Sequence, residues 1–193
     1  MAGTGMADTP QEYALPLNSV AAAAKESADA RRESEVVALF DLLRRPLLRY
    51  LMSLGLAVAD GEEIVQEVFL ALFEHLGRGG SRENLRGWLF RVAHNLGLKR
   101  ARRTRRWESA EDAEPVSDSA PNPEQQAACS ERQKLLMLVL RALPQQDRRC
   151  LSLRAEGLRY REIAEVLGIS LGSVSISIAR SVARFSRAAG DSR

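Results

Sequence analysis

Two stretches of this sequence carry side chains suited to chemistry, and in both the chemistry is the binding of nucleic acid. The run Lys99 to Trp107, KRARRTRRW, holds six basic residues among the eight from Lys99 to Arg106. Cations at that density contact phosphates, with a strength that falls as salt rises, and a neighbouring ring stacks on unpaired bases at ~1–3 kcal/mol each. The usual explanation of a charge run is a solvated surface. Here it continues an amphipathic segment that also offers Arg86, Arg91 and Asn95, so a nucleic-acid surface is the better reading.

The second stretch is Gly157 to Arg184. An apolar run of Ile163, Ala164 and Leu167 meets Gly168, and a second run of Val174, Ile178, Val182 and Phe185 follows a Ser170 cap. Ile169 is placed to plug the corner between them. That is the pattern of a DNA-binding helix-turn-helix, with an αα-hairpin lacking any ligand as the plainer alternative. A 3.6-residue period turns Ser173, Ile176, Arg180 and Ala183 outward, with Ser175, Ser177 and Arg184 on the flanks. Such a face offers two arginines to phosphates or guanine edges and an isoleucine to a thymine methyl, although Ile176 would equally suit a protein partner.

Catalytic constellations are missing. Glu74 with His75, and Glu62 with Glu63, lie on one helix without second ligands. Cys129 and Cys150 lack metal spacing, and the only histidines, His75 and His94, stand far apart. There is no Gly-rich phosphate loop and no nucleophile elbow. The expectation is a non-enzyme that needs no cofactor and no metal.

The elements that must position these residues are helical. A length of 193 residues suits one medium domain or two small ones, and Ala, Leu, Arg and Glu dominate. The formal charge is +3 and the isoelectric point about 9.2, but the charges are segregated along the chain. Residues 1–33, rich in Ala, Gly, Thr and Ser, read as a flexible extension with room for a short helix at 21–30. From Val36 to Leu54 apolar residues recur at helical spacing, with Pro46 expected to kink or divide the run and Gly55 to end it. Asp60 and Glu63 stand in capping-box spacing before Ile64, Val65, Val68, Phe69, Leu72, Phe73 and Leu76. The other face of that helix carries Glu63, Gln66, Glu67 and Glu74. A third helix, Leu85 to Leu98, runs into the basic block, with Trp88, Leu89, Val92, Ala93 and Leu96 inward.

Glu108 to Glu124 then has six acidic residues, no basic ones, and Pro115, Pro121 and Pro123, the composition of a linker. Beyond it Leu135 to Leu143 forms an apolar helix halted by Pro144, and Gln145 to Ala155 forms another, both behind the helix-turn-helix. Two reduced cysteines, no secretory signal and no stretch near the ~20 apolar residues of a bilayer span suggest a soluble, cytoplasmic protein with no membrane insertion.

Placed in order, these pieces resemble a bacterial RNA polymerase sigma factor of the extracytoplasmic-function (ECF) group, which keeps only conserved regions 2 and 4. The resemblance spans about Val36 to Arg187. It is carried by ADGEEIVQEVFLALFEHL (Ala59 to Leu76), NLRGWLFRVAHNLGLKRARR (Asn84 to Arg103), LRALPQQDRRCLSLRAEGLRYREIAEVLGIS (Leu140 to Ser170) and the recognition helix. It implies an all-α fold of two small helical domains joined by a flexible acidic linker. Residues 34–107 would be the region 2-like domain, 108–124 the linker, 125–187 the region 4-like domain and 188–193 a tail.

The resemblance also implies partners. Glu63, Gln66, Glu67 and Glu74 would meet the β′ clamp helices of core RNA polymerase. Trp88, Arg91, Asn95, Lys99, Arg100, Arg102 and Arg103 would open and hold the minus-ten element, with Asn95 aligned to a position that holds a flipped base. Ser173, Ser175, Ile176, Ser177, Arg180 and Arg184 would enter the major groove of the minus-thirty-five element. An anti-sigma factor is a further implied partner. Two departures stand out. Ser175 and Ser177 occupy positions where many members carry basic residues, so weaker binding, an unusual promoter or a region that chiefly contacts protein is expected. Gly97, inside the third helix, suggests a bend. A helix-turn-helix regulator acting without polymerase is the alternative function.

Overall fold

The computed structural model describes residues 17–108 and 131–190, with side chains placed for 25–104 and 136–188. The acidic linker beyond Glu108 and Cys129 lie outside the described residues, which form seven helices and no strand. In chain order they are α1 (Leu17–Ser53), α2 (Val58–Gly77), α3 (Leu85–Glu108), α4 (Glu131–Arg141), α5 (Gln145–Ala155), α6 (Tyr160–Leu167) and α7 (Leu171–Gly190).

Helices α1, α2 and α3 pack on one another around Leu43, Leu47, Leu51, Ile64, Val68, Leu72 and Leu89, all buried. The flexible extension expected before Ser34 is corrected from Leu17 onward, where it belongs to α1. Lengthening a helix already anchored by packing avoids the nucleation cost, and the alanines favour it. Arg32 of this extension lies over the Phe73 ring, 4.2 Å from its centroid. Pro46 does not divide α1. Its missing N–H deprives the Leu42 carbonyl of its helical partner, and Leu42 is exposed, on the side of α1 where such a loss costs least. Gly55 closes the segment at φ +90°, donating to the Met52 carbonyl at 2.9 Å.

Helix α2 begins at Val58 with no side-chain cap, so the capping box is not formed; Asp60 and Glu63 bind another partner, described below. Phe73, expected inside, is more than a third exposed beneath Arg32. Asn84, at φ 50°, starts α3 by accepting the Gly87 N–H on Oδ1 at 3.1 Å. Gly87 leaves room for that cap, because a Cβ there would sit 2.5 Å from Asn84 Nδ2. Gly97 makes no break in α3. It is buried where a Cβ would stand 2.8 Å from Leu51 and 3.1 Å from Leu54, so its role is close helix packing.

In the second half, α4, α5 and α6 all pack on α7 or on each other. Cys150, Leu153, Leu158, Ile163, Val166, Val174 and Ile178 are buried there. The apolar side of α4 is only partly used, since Leu136, Met137 and Leu138 remain exposed. Gly168 takes φ +64° at the end of α6, half-buried Ile169 fills the corner, and α7 leaves at a bend of 108°. That angle lies in the helix-turn-helix range. The last helix runs on to Gly190, past the tail boundary expected at 188.

The two halves touch. Helix α3 packs on α6 and α1 on α5, and the buried apolar cluster is continuous from Leu43 to Ile178.

Candidate nucleic-acid interface

Along α3, Trp88, Arg91, Asn95, Lys99 and Arg102 follow one another at steps of three or four, which places them on one face. Arg91, Asn95, Lys99, Arg102 and Arg103 are exposed. Trp88 is half-buried and stacks on His75, with centroids 4.9 Å apart, while His75 Nε2 lies 3.0 Å from the Ser81 carbonyl. A half-exposed ring held in place by packing is a fixed platform for a base. The result is one surface with a rigid aromatic at one end, an amide in the middle and cations at the other.

Arg100 does not join it. Its Nη1 donates to Asp60 Oδ1 at 2.6 Å and its Nη2 to Glu63 Oε2 at 2.7 Å, with the side chain 16% exposed. The hydrogen bond to Glu63 is the main cause holding its pKa above the ordinary value. An arginine in α3, expected as a DNA contact, thus ties α3 to α2 in this structure. Arg86, expected on the exposed face, is also turned in, donating to the Glu156 carbonyl.

The outer face of α2 presents Glu63, Gln66, Glu67 and Glu74 to solvent. Glu74 is paired with Arg78 at 2.8 Å, and Glu63 with Arg100, which leaves Gln66 and Glu67 at the centre. Beside them Leu70 is 62% exposed. Sequence periodicity did not single it out, because an isolated exposed leucine is ordinary. Its position between Glu67 and Glu74 on the same face is the signal that would have found it.

The recognition helix is rotated from its expected setting. Ser170 caps α7 as anticipated, accepting the Ser173 N–H at 3.1 Å and lying 2.9 Å from the Ser173 hydroxyl. Val174 and Ile178 face inward, but so do Ser177 and Ser181, both fully buried, while Val182 is 52% exposed. Ser177 is therefore corrected as a DNA contact. Its small side chain lets α7 approach α5, where it meets the buried Cys150, whose thiol pKa is pushed up by burial. Ser173 is half-buried, and Ser175 and Ile176 are exposed.

Two of the three arginines of α7, Arg180 and Arg184, are engaged within the domain. Arg180 Nη2 donates to Asp147 Oδ1 at 2.9 Å, with Nε 2.8 Å from Oδ2, and Asp147 is fully buried. Arg184 Nη1 donates to the Ala142 carbonyl at 3.0 Å, satisfying the end of α4. In this structure both arginines, expected to stand free for DNA, are engaged by these contacts within the domain.

Where the halves meet, Arg49 grips Glu156 with two hydrogen bonds, at 2.9 and 2.6 Å, and this contact raises the arginine's pKa. Beneath it Tyr50 Oη lies 2.7 Å from His94 Nδ1, both side chains buried. Desolvation, aided by nearby Arg149, lowers the His94 pKa to about 4, so the ring shares this hydrogen bond with the phenol in its neutral form. None of these seam residues was identified from the sequence, where they are separated by up to 107 positions. No group of His, Cys, Asp and Glu among the described residues is arranged to hold a metal.

Two family models match this architecture: "Sigma-70 region 2" over residues 39–108 and "Sigma-70, region 4" over 133–185. The chain is 32% identical over 147 residues to the RNA polymerase sigma factor NccH of Alcaligenes xylosoxydans xylosoxydans, covering 72% of this chain and 78% of that protein. It is 35% identical over 125 residues to the ECF RNA polymerase sigma factor SigE of Mycolicibacterium smegmatis, covering 63% of this chain and 48% of the other. Among solved structures, the sigma factor RpoE of Bartonella quintana, in complex with the anti-sigma factor NepR, shares the fold. Its TM-score is 0.65 at 21% identity, over 82% of this chain and 99% of that one. The class is thus set by paired sigma-70 regions 2 and 4. Within it, the chain belongs to the ECF group of RNA polymerase sigma factors.

Proposed function

We propose that this chain docks on core RNA polymerase through α2, melts the minus-ten element with α3 and places α7 in the major groove of the minus-thirty-five element. The observation that carries the reading is the α3 face, where an immobilised Trp88, exposed Asn95 and the cations Arg91, Lys99, Arg102 and Arg103 share one surface. A surface of that kind binds an unpaired strand better than a duplex. The difference in binding energy offsets the few kcal/mol needed to unstack bases, so no catalytic group, metal or cofactor is required.

Residues 34–107 act as the polymerase and minus-ten module, 108–124 as the linker and 125–187 as the minus-thirty-five module. On α2, Gln66 and Glu67 form the centre of the docking face, with Glu63, Leu70 and Glu74 around them; polar and acidic groups there favour fast, correctly registered docking on a basic partner. The setting is the cytoplasm, where promoter DNA and polymerase are. An anti-sigma factor, as in the Bartonella complex, is the expected inhibitor.

Co-elution of the purified chain with core polymerase on gel filtration tests the reading. Binding by the parent and its loss in the Gln66→Ala/Glu67→Lys variant are the expected results. Failure of the parent to co-elute would favour a free-standing helix-turn-helix regulator.

A further inference from the structure

We infer that α7 reads its promoter element through thymine methyl groups, with Ile176 as the specificity-determining residue. This rests on the placement of α7 in a major groove proposed above and names what the helix recognises there.

In a helix-turn-helix the N-terminal turns of the second helix reach the base edges. Here those turns present Leu171, Gly172, Ser175, Ile176 and Ala179 to solvent, with Leu171 50% and Ile176 63% exposed. From Leu171 to Ala179 the sequence LGSVSISIA contains no Arg, Lys, Asn, Gln, Asp or Glu. The paired hydrogen bonds that read guanine, adenine or cytosine therefore have no donor or acceptor of the right kind on this face. Farther along, Arg180 is held by buried Asp147 and Arg184 by the Ala142 carbonyl. What the face does offer is aliphatic surface, which matches the C5 methyl of thymine, and one hydroxyl, Ser175, which bonds to either base class.

The surroundings favour DNA over an apolar protein groove as the occupant. Arg159 and Arg161 are exposed on and beside α6, the helix that crosses the phosphate backbone in this motif, and Arg187 is exposed toward the far end of α7. An aliphatic strip on one helix of the motif, with exposed cations on the other, complements methyl-bearing bases between phosphates. Burying one methyl corresponds to about a fourfold change in affinity.

The test uses the full chain bound to core polymerase. Fragments with a fixed minus-ten element and a randomised upstream segment are selected, and the winning duplex is remade with uracil for thymine at single upstream positions. Expected are at least one position where uracil weakens binding about fourfold, and loss of that sensitivity in Ile176→Ala, whose side chain is too exposed to matter for folding. Equal binding of thymine and uracil duplexes throughout would overturn the proposal, as would dependence on a guanine revealed by 7-deazaguanine. Absence of any upstream selection, with Ile176→Ala unchanged, would overturn it in favour of a protein-docking face. Failure to assemble with polymerase would remove the underlying reading as well, and shows before any duplex is added.

Discussion

Arg180 shows how a residue's type can be legible while its task is not. Helical periodicity turns it outward, and an outward arginine on a recognition helix is read as a DNA contact. Only the fold reveals Asp147, 33 positions away, fully buried and needing a counter-charge. Removing one partner of such a pair leaves a desolvated carboxylate, which costs far more than a surface ion pair contributes. Because Arg180 is itself half exposed, Arg180→Ala should destabilise the chain by about 2–3 kcal/mol. Thermal unfolding should then fall by roughly 4–12 °C for a chain of this size. A variant that lost DNA affinity but kept its unfolding midpoint would return Arg180 to the groove. Ser177 was misplaced for a related reason. Hydrophobicity decides the inward face of a helix wheel, whereas here two serines go inside because α7 and α5 approach closely.

At the scale of elements the sequence was most readable where apolar residues repeat at 3.6. The bodies of all seven helices, the Gly55 and Gly168 stops and the Ser170 cap all follow from local patterns. Local patterns failed where tertiary contacts claimed the same residues. Asp60 and Glu63 have the spacing of a capping box, but Arg100 of α3 takes both carboxylates, so the box is exchanged for a bond between helices. Gly97 has the composition of a hinge and the surroundings of a packing site. A methyl there meets the side-chain tips of Leu51, Leu54 and Leu56, and alanine's higher helix propensity offsets roughly 1 kcal/mol of crowding. Gly97→Ala should therefore be near neutral in stability. A branched side chain has no such room, and Gly97→Val should lose about 2 kcal/mol or more. Denaturant midpoints for the pair separate the two roles, since a hinge glycine would tolerate neither change in promoter melting yet show little difference between them in stability.

For the whole molecule, the closed seam bears directly on how two DNA-binding modules work. Packed together, residues 17–108 and 131–190 have a radius of gyration of about 15 Å, hence a diameter near 40 Å. Elements centred about 25 base pairs apart lie roughly 85 Å from each other along the duplex. The arrangement in which α3 rests on α6 therefore cannot place both modules on one promoter, and engaging both requires the seam to part. Its polar fastening is compact: Arg49 holds the Glu156 carboxylate and Arg86 the Glu156 carbonyl, so one residue of the α5–α6 turn meets two arginines of the first module. Glu156→Lys reverses the charge between them and replaces attraction with repulsion at a side chain only 10% exposed. The expected outcome is an open chain, seen in small-angle scattering as a larger radius of gyration, with each helical module still folded by circular dichroism. Glu156→Gln, which retains hydrogen bonding without charge, should shift the equilibrium less. An unchanged radius in Glu156→Lys would mean that the continuous apolar cluster, rather than the arginines, holds the modules together. Opening would then depend on a partner that supplies equivalent apolar contact.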